Sequence, residues 1–205
     1  MVFARAPVAG AAKTRLIPLL GAAGAAALHG RLITRALATA RAAQPAALAL
    51  WCAPDAAHPL LQSAAQHYAA VLQIQSGADL GARMAHAFAA TLQHASCAIC
   101  IGADCPALTT QHVHDAAAAL RAGNDAVFVP AEDGGYALIG LTRPQPRLFA
   151  GIAWGSAQVM AQTRDRLREC NLRWRELETL WDVDRPEDYH RLQQSGLLNE
   201  PASPA

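Results

Sequence analysis

The sequence predicts an α/β protein with a mostly parallel central sheet and helices on both faces. Three observations carry this. Short apolar, strand-like runs alternate with longer helical segments along the chain; the central runs are apolar almost throughout; and glycine, proline and acidic residues gather where the runs end. Strand, helix and strand repeated four times imply right-handed crossovers between parallel strands. Strands covered on both faces read as continuous apolar runs rather than alternating ones. In such sheets ligands bind outside the carboxyl ends of the strands, so the third observation directs the search for function to the loops.

The elements follow in order. "MVFA" (1–4) is a first strand, and the glycine- and proline-bearing stretch "RAPVAGAAKTRL" (5–16) follows it. Residues 22–43 form a long alanine-rich helix with an apolar stripe at Leu28, Leu32 and Leu37. "ALALWC" (47–52) is a strand, 56–69 a helix, "AVLQIQ" (70–75) a strand, and 79–93 a helix that Asp79 can cap. "CAICIG" (97–102) is a strand that ends in the turn "ADCPALT", and Thr109 or Thr110 can start the helix that runs to Leu120. "AVFVPA" (126–131) and "YALIGL" (136–141) are strands parted by "EDGG". A helix over 156–170, a strand at 172–177 and a closing helix at "RPEDYHRLQQS" complete the pattern. Residues 1–195 are expected to form one domain, and 196–205 a disordered tail of low complexity.

Composition narrows the function classes. The chain is 53% hydrophobic, but alanine makes up about a quarter of it, which favours helices. No run of bulky apolar residues reaches the length of a spanning helix, and "MVFARAP" lacks the pattern of a signal peptide. No membrane span and a cytoplasmic location are therefore expected. The formal charge is +1, and the arginines of 164–175 are mixed with acidic residues, as on a solvated helix face, so no nucleic-acid partner is expected. The five cysteines, an odd number with no secretion signal, read as reduced thiols. In a strand Cys97 and Cys100 point to opposite faces, so "CAIC" cannot close on one metal.

Five loops carry the chemistry. The first holds Lys13, the only lysine beside sixteen arginines. It is not a P-loop, because Pro7 and Ala12 stand where that motif needs glycine. Gly10 allows close backbone approach, and Lys13 and Arg15 can both reach a phosphate; an ordinary strand-to-helix loop is the alternative. The second is "IGADCPAL", where Asp104 can take Mg2+ or serve the turn. The third is "PAEDGGY", where Asp133, Gly134 and Gly135 permit either a ligand or a hairpin turn. In "LWDVDRPEDY", Asp182 and Asp184 share a face if extended, whereas Glu187 and Asp188 after Pro186 are good capping chemistry. "GADLGARM" holds Gly77, Asp79 and Arg83, the last two spaced to pair on a helix. His112 and His114 face different ways, which argues against a metal there, and nothing marks a hydrolase.

Six ordered blocks, "FARAPVAGAAKTRL", "SGADLGARMAHAF", "IGADCPAL", "PAEDGGYALIGL", "LFAGIAWGS" and "DVDRPEDY", resemble the bacterial GT-A-fold family known as radical-SAM/selenodomain-associated transferase 1. The resemblance runs from about residue 2 to residue 190. It implies the nucleotide-diphospho-sugar transferase fold and a more distant likeness to molybdenum-cofactor and phospholactate guanylyltransferases. Carried onto this chain, it puts Ala4, Arg5, Pro7, Gly10, Lys13, Thr14, Arg15, Gly77, Asp79 and Arg83 at a nucleotide, and Asp104 and Asp184 at Mg2+ or Mn2+. It gives Lys13, Asp104 and Asp133 catalytic roles, and it borders an acceptor pocket with Asp133, Gly134, Gly135, Tyr136 and Trp154. The chain departs from the family at Arg5 and Ala9 in the first loop and at "AWGS", where Trp-Ser-Thr is usual.

The expected activity is Mg2+-dependent transfer from a nucleotide-diphospho-sugar to a small acceptor. The metal would bridge the diphosphate while Lys13 and Arg15 offset the charge on the leaving nucleotide. Nucleotidyl transfer with pyrophosphate release is one alternative. A nucleotide-binding module without chemistry is another.

Overall fold

Residues 1–198 are described in a computed structural model of the chain. In chain order the elements are β1 (Val2–Arg5), α1 (Ile17–Ala42), β2 (Ala49–Ala53), α2 (Pro59–His67), β3 (Val71–Ile74), α3 (Leu80–Thr91), β4 (Ala98–Gly102), α4 (Thr110–Arg121), β5 (Ala126–Pro130), β6 (Tyr136–Leu141), α5 (Val159–Glu169), β7 (Trp174–Glu176) and α6 (Pro186–Ser195). They fall into two compact units. The first contains Met1–Ile74, Gly102–Thr110 and the chain from Trp181 onward; the second contains Gln75–Ile101 and Gln111–Leu180.

In the first unit the strands are parallel, in the order β3-β2-β1, with Val2 opposite Leu50 and Ala49 opposite Val71. β1-α1-β2 and β2-α2-β3 are the crossovers that the alternating pattern predicts. β2 is almost wholly buried, whereas Val71 and Ile74 of β3 are exposed, as suits an edge strand. α1 begins five residues before its expected start, since Pro18 sits in its first turn, where a missing N–H costs nothing. Gly21 (φ 69°, ψ 165°) then interrupts it in a conformation open to glycine.

Beyond that break the buried residues Ala25, Leu28, Leu32, Ala36 and Ala40 recur at helical spacing. Leu16, Ala25, Leu28 and Leu32 pack with Trp181, Val183 and Leu192 of the closing segment. Thr14–Ala42 passes a length-and-composition test for a membrane span, a test that an alanine-rich core helix also passes. In this fold it supplies one wall of the first unit's core. The first three residues of the expected tail are among those described. Gly196 ends α6 in the left-handed conformation, and the carbonyls of Leu197 and Leu198 accept from Arg35 (2.7 Å) and Arg31 (2.8 Å) of α1. The remainder of that tail, 199–205, lies outside the described residues.

In the second unit the order is β4-β6-β5-β7, with β6 antiparallel to both of its neighbours and β5 parallel to β7. One strand thus runs against the rest, and the cause is local. "AEDGG" closes a hairpin in which Gly134 N–H donates to Ala131 O (3.0 Å) and Gly135 N–H to Asp133 Oδ1 (2.8 Å). Gly134 has φ 90°, and a Cβ there would lie 2.1 Å from the Ala157 carbonyl oxygen. The arginines of α5 pair with acids: Arg164 with Glu176, Arg166 with Glu169 and Arg168 with Asp165. All five cysteines are free thiols, and burial pushes Cys100 up to about 12.

Candidate functional site

The first unit holds a cavity of about 290 Å³ lined by Arg5, Ala11, Ala12, Lys13, Thr14, Arg15, His29, Asp104 and Asp184. Four segments build it: the end of β1 with its following loop, α1, the loop after β4, and the stretch before α6. Such a volume is at the small end for ligand sites and suits a phosphate group better than a whole nucleotide.

Lys13 occupies the centre. Its backbone is left-handed (φ 49°, ψ 46°), and Thr14–Leu16 form one 3-10 turn after it. A left-handed residue leading into right-handed ones turns successive N–H groups toward one side, the geometry of an anion-binding nest. The Lys13 side chain is only 5% exposed. Its Nζ lies 2.6 Å from Asp104 Oδ1 and donates to the Val183 carbonyl at 2.6 Å. An ammonium has three donors, so one remains uncommitted by these contacts.

Asp104 is held from two sides. His29, on the buried face of α1, has Nε2 3.0 Å from the Arg5 carbonyl and Nδ1 3.6 Å from Asp104 Oδ1. Burial by itself works to raise the Asp104 pKa. The Lys13 ammonium and His29 outweigh it and hold the carboxyl well below the usual carboxylate range. Oδ1 is buried, yet the side chain as a whole is half exposed, and it lines the cavity. Val183 N–H donates to the Asp104 carbonyl (2.9 Å), which fixes the two acidic segments to each other. Asp184 pairs with Arg15, and both side chains are more than a third exposed. Asp188 caps α6 by accepting from the N–H groups of Asp184 (3.0 Å) and Arg185 (2.7 Å), as expected of an acid in a first helical turn.

Asp104 and Asp184 thus border one cavity as two carboxylates. Among the described residues no group of three or more His, Cys, Asp or Glu side chains is placed to hold a metal. Two carboxylates fit Mg2+ or Mn2+ where substrate phosphates complete the coordination.

Of the nucleotide-site candidates, Arg5, Lys13, Thr14 and Arg15 line this cavity. Ala4 and Pro7 are buried beside it, and Gly10 (φ 81°) shapes the loop. Gly77, Asp79 and Arg83 belong to the second unit, where they serve one another. Asp79 caps α3 by accepting from Ala82 N–H (2.7 Å), and Arg83 donates to the Gly77 carbonyl (3.2 Å). Sequence reasoning missed His29. Its signal was a single imidazole on the apolar face of an alanine-rich helix, one residue after Leu28.

The acceptor candidates also lie in the second unit. Asp133, expected to be catalytic, is exposed, and its carboxylate serves the hairpin turn. Tyr136 and Trp154 meet edge-to-face at 6.3 Å, and Phe128 meets Tyr136 edge-on at 5.3 Å. The Tyr136 hydroxyl contacts Met84 Sδ at 3.9 Å, and burial raises its pKa. Trp154 packs over Gly81 of α3, where a Cβ would stand 2.5 Å from the indole nitrogen. His112 and Glu178 are 2.6 Å apart and tie α4 to the segment after β7, while His114 is exposed.

Comparisons with known proteins give the family and the fold. Residues 36–156 match a family described as "Uncharacterized protein conserved in bacteria (DUF2064)". A candidate nucleotide-diphospho-sugar transferase from Desulfovibrio desulfuricans G20 is 31% identical, with a TM-score of 0.85 over 95% of this chain and 85% of that one. A cytidylyltransferase from Leptospira borgpetersenii serovar Hardjo-bovis (strain JB197) has a TM-score of 0.60 at 11% identity, over 98% of this chain and 87% of that one. CMP:2-keto-3-deoxy-manno-octonic acid synthetase, in complex with CTP, has a TM-score of 0.59 at 12% identity over 97% and 98%. The first of these likenesses establishes the fold, that of the GT-A nucleotide-diphospho-sugar transferases, and the last two share it. No curated protein matches the chain.

Proposed function

The chain belongs to the DUF2064 family, and from that premise we propose that it is a divalent-metal-dependent transferase whose donor is a nucleotide-diphospho-sugar. The observation that supports this most is the convergence of Lys13, Arg15, Asp104 and Asp184 on one phosphate-sized cavity. Two cations and two carboxylates there match the needs of a metal-bound diphosphate. Asp104 and Asp184 would hold Mg2+ or Mn2+, which would supply positive charge to the diphosphate. Arg15 offers a planar fork to the departing oxygens, and Lys13 anchors the Asp104 carboxylate beside the cavity. Within the second unit, Tyr136 and Trp154 form an aromatic wall.

Nucleotidyl transfer is the second reading. The two cytidylyl-transferring structures share this fold, and stabilising a leaving pyrophosphate calls for the same charges as stabilising a leaving nucleoside diphosphate. Products separate the two. The protein is incubated with Mg2+ or Mn2+ and either nucleotide sugars with a panel of small hydroxyl acceptors or nucleoside triphosphates with a panel of phosphorylated acceptors, and released phosphates are resolved by chromatography. A nucleoside diphosphate from a nucleotide sugar is the expected result. Pyrophosphate from a triphosphate, with every nucleotide sugar intact, replaces the first reading with the second.

A further inference from the structure

We propose that Asp184 is a charge latch on Arg15, which makes the cavity discriminate against polyphosphates that arrive without a divalent cation. The inference rests on the polyphosphate reading of the site.

The two cations of the cavity are held differently. Lys13 is 5% exposed and tied to both Asp104 and the Val183 carbonyl, so it stays in place. Arg15 is 61% exposed, and the ion pair with Asp184, itself 38% exposed, is its one side-chain contact described here. Exposed pairs are weak and exchange readily, whereas breaking a buried pair is costly. Arg15 is therefore the cation free to turn to a ligand, and Asp184 is what it must leave.

A bare polyphosphate meets two obstacles. It competes with Asp184 for the Arg15 guanidinium, and it approaches the charges of Asp184 and Asp104. A polyphosphate carrying a divalent cation meets neither. Its cation takes the Asp184 carboxylate, which frees the guanidinium to bind two phosphate oxygens at once. Asp184 and Arg15 then each have a new partner, and no charge is left unpaired. Nothing covalent changes.

The test uses inorganic pyrophosphate, with and without Mg2+, titrated calorimetrically into the whole chain as wild type, Asp184→Asn and Glu187→Gln. Asparagine keeps the shape of the side chain, and the α6 cap depends on Asp188, so the Asp184 variant keeps its helix. Glu187 is a neighbouring exposed acid, and its replacement changes the net charge equally. Asp184→Asn should bind metal-free pyrophosphate about fivefold tighter than wild type, the scale on which exposed ion pairs act. It should also lose most of the gain that Mg2+ gives the wild type, while Glu187→Gln behaves as wild type. Loss of a metal ligand cannot by itself produce tighter metal-free binding. Equal metal-free affinity in wild type and Asp184→Asn overturns the latch and leaves the polyphosphate reading standing. Equal tightening in Glu187→Gln reduces the effect to general charge and also overturns it. If none of the three proteins binds pyrophosphate with or without Mg2+, the polyphosphate reading falls and the latch with it.

Discussion

At the scale of single residues, the one lysine of the chain sits where an arginine does not fit. The slot is almost closed, and its two acceptors, Asp104 Oδ1 and the Val183 carbonyl, both lie at 2.6 Å. An ammonium meets them as a compact point donor, whereas a guanidinium is a wide planar fork. Lys13→Arg should fold with a lower melting temperature and weaker Mg2+-dependent nucleotide binding; wild-type values for both would mean that position 13 needs only charge. Lys13→Met leaves a buried oxygen of Asp104 without its cation and should cost about 1–3 kcal/mol at neutral pH. The pH dependence has a definite sign. Asp104 titrates below its unfolded value, so its contribution is complete above the usual carboxylate pKa and drains away as pH falls through the depressed one. The stability gap between wild type and Lys13→Met should therefore be widest near neutrality and narrow below pH ~4 in denaturant titrations. A gap that widens in acid would contradict this account. The sequence pointed to the loop but not to this pairing, because Lys13 and Val183 are 170 positions apart and no local pattern links them. It offered Lys13 and Arg15 as phosphate contacts. It could not tell the buried, fixed cation from the exposed, mobile one, since that difference is set by packing.

At the scale of elements, periodicity was informative and boundaries were less so. "YALIGL" forms β6 over the residues expected, since a hairpin turn and a run of buried apolar residues delimit it sharply. The helix expected at 56–69 is shortened to Pro59–His67, because proline starts helices and does not continue them. The opening turn of α1 was hidden because Gly21 interrupts the stripe on which the expectation rested. α3 offers a test in which propensity and packing predict opposite signs. In an exposed helix, glycine to alanine stabilises by about 1 kcal/mol. At Gly81 the added carbon would meet the Trp154 indole nitrogen at 2.5 Å and the Phe149 carbonyl at 2.6 Å. Gly81→Ala should therefore destabilise, by about 1–3 kcal/mol if the core behaves as overpacked cores do. A shift in tryptophan emission should accompany it, because Trp154 must move. Higher stability with unchanged emission would show that the indole yields at no cost, and that Gly81 does not position the aromatic wall.

At the scale of the whole molecule, the fold was legible because strand and helix periods are local properties of the chain, and because the chemistry-bearing loops follow strand ends as ligand sites do. Function at this scale is a question of which ligand the folded state prefers. Any ligand that binds only the folded chain at free concentration L stabilises it by RT ln(1 + L/Kd), about 2.7 kcal/mol at one hundred times Kd. A chain of 205 residues gains about 2–4 °C of melting temperature per kcal/mol. A nucleotide diphosphate or nucleotide sugar at that saturation, with Mg2+, should thus raise the midpoint by roughly 5–10 °C. Without Mg2+ the shift should be much smaller, because Asp104 and Asp184 then face the phosphates unneutralised. A single-stranded oligonucleotide gives the contrast. It offers many phosphates but meets a chain of net charge +1 whose arginines at 164, 166 and 168 are already paired with acids. It should leave the midpoint where it was at physiological salt, since non-specific binding depends on a basic surface free to displace counterions. A large shift with the oligonucleotide and none with any nucleotide would mean that the cavity at Lys13 is structural, and that the surface of the chain, not its loops, carries the function.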